Sequence, residues 1–148
     1  MADNPQVQTR HPRPLSPFTT IYRWPVTMAT SITHRVTGVA LSAGLALIAW
    51  WLVAVTREPE QYDLVVWVLS SMLGQIVLFG FVWSLAYHLL NGIRHLAWDV
   101  GYGFKVPTAN KTGVLVVTLS VFVAIGVFVY AHMHQVALAT TMSGEATP

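Results

Sequence analysis

Cysteine is absent from the 148 residues. That excludes disulfides, thiolate-bound iron–sulfur clusters, cysteine-based zinc sites and covalent haem attachment through C-x-x-C-H. Charge is scarce as well: 9% of the residues are Asp, Glu, Lys or Arg, against 54% hydrophobic. A soluble domain carries about 25% charged residues, so this chain lacks the surface that water requires. Neither a G-x-G-x-x-G nor a P-loop is present, so no dinucleotide or nucleoside triphosphate site is signalled. The net charge of +2 rests on eight Lys and Arg scattered along the chain. That placement suits a topology signal, and no nucleic-acid partner is expected. Composition therefore predicts an all-α membrane protein folded as one small bundle.

What is present falls into three parts. Residues 1–24 read as an extended arm outside the bilayer, with Pro5, Pro12, Pro14 and Pro17 inside "NPQVQTRHPRPLSPF". The arm has no apolar core followed by a small-residue cleavage site, so it does not read as a secretory signal. Residues 25–134 form a transmembrane domain of three apolar stretches at about 31–55, 64–90 and 114–131, each close to the ~20 residues a spanning helix needs. Residues 135–148 read as a flexible tail. Pro25 suits a first helical turn, and Tyr22 and Trp24 suit the membrane interface.

Orientation follows from the cations. The arm carries Arg10, Arg13 and Arg23, and the second loop region carries Arg94, Lys105 and Lys111. The first loop has Arg57 alone. The positive-inside rule places the N-terminus on the cytoplasmic (or matrix) side and the C-terminus on the outer side.

This topology brings His34 and Arg35 to the same depth as His88, Arg94, His95 and Asp99. Ionisable residues near membrane spans usually face the bundle interior. His88 lies about 10 Å deeper than His95 along the helix axis. It sits in a row spaced by four, Gly80, Ser84, His88 and Gly92, which shares one helix face. Such a row suits close helix packing, and equally the approach of a flat, large group to an imidazole ligand, as in a b-type haem. His34, Arg35 and His95 are then placed to meet haem propionates. Snorkelling of Arg35 to lipid phosphate and an ordinary interfacial role for His95 are the alternatives.

Ser31 and Arg35, four apart and near Trp24, offer a hydroxyl, a cation and an aromatic wall for a quinone headgroup. Serine bonding back to its own helix is the competing reading. Asp99 suits a loop salt bridge with Arg94 or Arg35, or a proton path from the cytoplasmic side. His132 and His134 fall at the opposite membrane face and read as exposed. A single deep histidine supplies one axial ligand, so a six-coordinate haem needs a second small subunit with its own histidine to complete the bundle.

Two motifs, S-I-x-H-R-x-T-G at 31–38 and H-x-x-x-G-I-R-H at 88–95, stand at a distance that resembles the cytochrome b membrane-anchor subunits of succinate dehydrogenase (respiratory complex II). The likeness covers about Arg13 to Leu119, including the arm "RPLSP…IYR". It implies that His88 is an axial ligand of non-covalent haem b, with His34, Arg35 and His95 near its propionates. It implies a ubiquinone site at Ser31, Arg35 and Trp24, with Asp99 nearby. The implied partners are a flavoprotein subunit, an iron–sulfur subunit and a second small hydrophobic anchor supplying the other ligand. No succinate-oxidising site is expected in this chain. The implied location is a bacterial inner membrane, or less readily the mitochondrial one. A fumarate reductase anchor oxidising quinol and a small transport or proton-relay subunit are the other readings.

Overall fold

The computed structural model describes residues 21–145, with backbone alone at 139 and 142–145. Most of the expected arm, residues 1–20, lies outside the described residues. Four helices follow: α1 Val26–Val55, α2 Pro59–Ser70, α3 Met72–Asp99 and α4 Val106–Glu145. Helices α1 and α3, and α4 from Val106 to Leu138, are long and apolar enough to cross a membrane. The chain is an all-α membrane protein.

Pro25 caps α1 in an extended conformation, which suits a residue without an N–H to donate. The 30 residues of α1 extend about 45 Å. The second apolar stretch is not one helix. Ser71, at φ −61° and ψ 157°, breaks it: its hydroxyl donates to the Val68 carbonyl at 2.6 Å and accepts from Gly74 N–H at 3.1 Å. A serine that accepts from the third helical N–H is a standard helix start. Gly74 is required there, because a Cβ would stand 2.7 Å from the Leu69 Cα.

The second span thus runs over Met72–Asp99 rather than 64–90. Hydropathy ends the stretch at Leu90 because Asn91, Arg94 and His95 follow, but Asn91 and Arg94 are buried inside the bundle and the helix continues. It stops at Gly101 and Gly103, which take φ +91° and +84°. Tyr102 N–H returns to the Ala97 carbonyl at 2.9 Å and Gly101 N–H to Trp98 at 2.8 Å, a left-handed glycine termination.

Helix α4 also exceeds its expected 114–131. At its start, Pro107 occupies an early helical position where no N–H is needed, and Ala109 N–H bonds the Lys105 carbonyl at 2.8 Å. At its end the helix enters the segment expected as a flexible tail, reaching Glu145. "HQVALATTM" contains good helix formers and no proline or glycine to stop it.

Contacts fix the packing. Thr30 meets Arg94, Thr37 meets His88, and Gly44 meets the Phe81 ring. Rising numbers in α1 meet falling numbers in α3, so the two are antiparallel. Arg94 against Thr112 and Phe79 against Phe128 show the same for α3 and α4. The start of α1, the end of α3 and the start of α4 therefore share one end of the bundle. The interior mixes mostly small apolar residues with polar ones: Ala86, Ala109 and Ala124 are buried beside Thr30, Thr37, Ser84, Asn91, Arg94 and Ser120, while Leu45, Leu85, Leu89 and Phe122 face outward. That inversion suits a lipid surround.

Candidate functional site

His88 is built into the α1–α3 contact. Its Nδ1 lies 3.2 Å from the His34 carbonyl oxygen and 3.3 Å from the Thr37 hydroxyl oxygen. The carbonyl can only accept. The Thr37 hydroxyl already donates to that same carbonyl at 2.9 Å, so it too accepts. Nδ1 therefore carries the proton, and the lone pair resides on Nε2. A ring nitrogen donating to a carbonyl while its partner nitrogen is free is the usual condition of a metal-ligating histidine.

Gly38 makes this seat possible. A Cβ there would stand 3.2 Å from His88 Cε1, so the glycine lets the ring lie against the α1 backbone. The His34 ring stacks on His88 at 3.9 Å with 13° between planes. Stacking covers the ring face, whereas the Nε2 lone pair lies in the ring plane, so the two do not compete. Among the described residues no group of three or more His, Cys, Asp or Glu converges on a metal position. His88 offers one imidazole donor through Nε2.

The row Gly80, Ser84, His88, Gly92 is only partly a packing seam. Ser84 is buried, but nothing lies within 4 Å of a Cβ placed on Gly80 or Gly92. A cleft of about 520 Å³ opens between α1 and α3, bounded by Ala40, Ala43 and Gly44 on one side and Gly80 and Ser84 on the other. Trp83 lines it too, and its buried Nε1 has no hydrogen-bond partner among the described residues.

One to two turns further along α3, toward its C-terminal end, stands a network whose partners sequence reasoning missed. Arg94, 6% exposed, donates from Nε to Thr112 Oγ1 (3.1 Å), from Nη2 to the Ala109 carbonyl (2.8 Å), and from Nη1 to Asn91 Oδ1 (3.1 Å) and Thr30 Oγ1 (3.3 Å). Its guanidinium lies 4.1 Å over the Trp98 ring, a cation–π contact. One side chain thus ties α1, α3 and α4 together. Of the two cations expected as partners of Asp99, Arg94 turns inward instead, and Asp99 is exposed. A signal was present, since Tyr87, Asn91 and Arg94 follow i, i+4, i+7 and form one polar stripe on a membrane helix.

Tyr87, fully buried, donates to the Thr30 carbonyl at 2.8 Å. Thr30 is therefore held at its carbonyl by Tyr87 and at its hydroxyl by Arg94, and it immediately precedes Ser31. Tyr87→Phe is expected to lower stability by about 1 kcal/mol, the net value of one such bond, with the Thr30 carbonyl keeping its helical partner. A thermal unfolding midpoint of the purified protein checks it; a loss several times larger would mean that the ring, not the bond, is essential.

His34 and His95 join the cluster, with ring centroids 5.2 Å apart. His95 Nε2 lies 3.2 Å from Asn91 Nδ2, and its ring meets Trp98 edge-on at 5.0 Å. His34 Nδ1 is buried without a partner among the described residues. Ser31 is half-buried on the same turn, while Arg35 and Trp24 are exposed outside the network. Tyr22 reaches Met28 Sδ at 3.2 Å. His132 and His134 are exposed at the far end of α4.

Residues 9–143 match the family described as succinate dehydrogenase/fumarate reductase transmembrane subunit. The succinate dehydrogenase cytochrome b556 subunit of Paracoccus denitrificans is 47% identical over 113 residues, covering 76% of this chain and 87% of that protein. The mitochondrial cytochrome b560 subunit of Sus scrofa is 44% identical over 119 residues, 77% and 69% of the two chains. The cytochrome b556 subunit of Rickettsia prowazekii is 42% identical over 109 residues, 74% and 85%. With three membrane-length helices and a match over nearly its whole length, this chain belongs to the transmembrane subunits of succinate dehydrogenase and fumarate reductase.

Proposed function

We propose that this chain is the cytochrome b anchor of a succinate:ubiquinone oxidoreductase, holding haem b through His88 and forming part of the ubiquinone-reduction site. The carrying observation is the seat of His88: Nδ1 is committed to the His34 carbonyl and the Thr37 hydroxyl, which leaves Nε2 as the ligating atom. Bound there, the haem supplies a one-electron carrier. The cleft beside Gly80 and Ser84 offers room for a flat group, and His34, Arg35 and His95 stand toward the membrane surface to meet its carboxylates. The second axial ligand comes from another small hydrophobic subunit. A flavoprotein subunit and an iron–sulfur subunit attach at the end bearing the start of α1, on the cytoplasmic side of a bacterial inner membrane, with the C-terminus periplasmic.

At the quinone, Ser31 donates its hydroxyl to one carbonyl oxygen and Arg35 stabilises the negative charge that develops there during reduction. Trp24 forms a wall for the ring, and Asp99 passes protons from the cytoplasmic side. Reduction to quinol consumes two electrons and two protons. The relatives named above are succinate dehydrogenase subunits, which favours this direction over fumarate reduction. The helix break at Ser71 lies at the end away from His34, His88 and His95, so it lends no support to a proton relay through those three, for which broken helices would line the pathway.

The test is quinone reduction by the purified complex. Arg35→Ala is expected to slow it about 100-fold, the effect of removing one charge-stabilising donor. Ser31→Ala is expected to weaken it up to about tenfold, the value of one neutral hydrogen bond. Wild-type rate and affinity in both variants, with the complex intact, would remove the site from this turn.

A further inference from the structure

Arg94, Asn91 and His95 form a hydrogen-bonded chain at the end of α3. Asn91 is fully buried, with its side-chain amide between Arg94 Nη1 at 3.1 Å and His95 Nε2 at 3.2 Å. Guanidinium has donors only. The amide oxygen must therefore face Arg94, and the amide N–H must face His95. Turning the amide over would set two donors against each other at Arg94. Arg94 cannot swing away to relieve this, because Thr112 Oγ1, the Ala109 carbonyl and Thr30 Oγ1 hold its other N–H groups. Both threonine hydroxyls already donate to backbone carbonyls, so they are acceptors toward Arg94.

A donor facing His95 Nε2 requires a lone pair on that atom. We infer that Asn91, oriented by Arg94, selects the Nδ1-protonated tautomer of His95 and so presents its Nδ1–H as a hydrogen-bond donor for a carboxylate of the bound porphyrin. The two ring nitrogens point away from each other, so the donor is directed away from Asn91 and the buried network. Asn91 and Arg94 are positioning residues in this scheme. They touch no haem atom and act through His95. The inference rests on the haem reading for the identity of the acceptor, but not for the tautomer.

The tautomer is read first, without haem, by 15N NMR of the full chain labelled with 15N-histidine, with His95→Gln assigning the signal. The expected result is a protonated Nδ1 and an unprotonated Nε2 at His95. Asn91→Asp keeps the partner for Arg94 but offers His95 a carboxylate oxygen, so Nε2 is expected to gain a proton. The haem midpoint potential of the assembled complex is read second. Asn91→Leu is expected to lower it, because a propionate that loses a fixed donor keeps more of its negative charge. In a His95→Phe background Asn91→Leu is expected to cause no further fall, as required when one residue acts through the other. Protonated Nε2 in the wild type, an unchanged His95 signal in Asn91→Asp, or an additive fall in the double variant would overturn the inference. Haem retained in full by His88→Ala would instead overturn the ligand assignment and leave the tautomer result standing.

Discussion

His88→Ala is expected to leave an assembled complex without its b-type signal in the reduced-minus-oxidised spectrum. The substitution removes the Nε2 donor. No second histidine can replace it from the same seat, because His34 lies flat across the His88 ring and His95 is engaged by Asn91 through Nε2. The local fold should survive. Thr37 keeps its bond to the His34 carbonyl at 2.9 Å, and no buried group depends on the imidazole alone. Changing a residue that only supports a metal ligand typically costs 10–100-fold in affinity, so loss of the ligand itself should exceed about 100-fold. Thr37→Val is the graded companion: it removes one of two acceptors from Nδ1 and should weaken haem retention about tenfold. Haem content per complex, measured after extraction, checks both. Stoichiometric haem in His88→Ala would move the ligand elsewhere in the complex.

The same residues show what a sequence can and cannot convey about such a site. Three membrane-length helices were legible because long apolar runs have few alternatives in water. His88 was legible because an ionisable group within such a run carries a cost that packing alone does not explain. The limits of the second helix were not. Hydropathy counts Asn91, Arg94 and His95 against the span, whereas burial of Asn91 and Arg94 inside the bundle removes the penalty that hydropathy assumes. Ser71 was missed for the opposite reason. A serine within an apolar run contributes little to a hydropathy average, yet its two hydrogen bonds and Gly74 three residues on end one helix and begin another. Gly38 belongs to the S-I-x-H-R-x-T-G motif, but its purpose, space for the His88 ring, depends on a residue 50 positions away. From the sequence, Arg94 is legible as a topology charge at the depth of the histidines, with Asp99 as one candidate partner. Its actual partners come from three helices, and no local pattern could name Ala109 and Thr112 among them.

Arg94→Met is expected to produce the largest loss of stability of any single change described here. Hydrogen bonds to a charged group contribute about 1.5–3 kcal/mol each, and Arg94 makes four of them. The sum is not recovered in full. Removing a buried cation also removes its desolvation cost, which is several kcal/mol. Thr30, Thr112 and Ala109 retain bonding options within their own helices, since Thr30 and Thr112 hydroxyls already bond the Thr27 and Thr108 carbonyls. Asn91 Oδ1 does not, and a buried acceptor left unpaired costs about 1–3 kcal/mol. The net expectation is a loss of about 3 kcal/mol, seen as a lower thermal midpoint of the purified complex. Arg94→Lys should recover little of it. An ammonium is a point donor and cannot reach Thr112, Ala109 and Asn91 at once as a planar fork does. Because Arg94 and Tyr87 together hold Thr30, the turn carrying Ser31 and Arg35 should loosen as well, raising the KM for quinone in whatever fraction still assembles. If Arg94→Met unfolds at the wild-type temperature, the three-helix tie is not what holds this end of the bundle, and the helices must be secured there by the partner subunits instead.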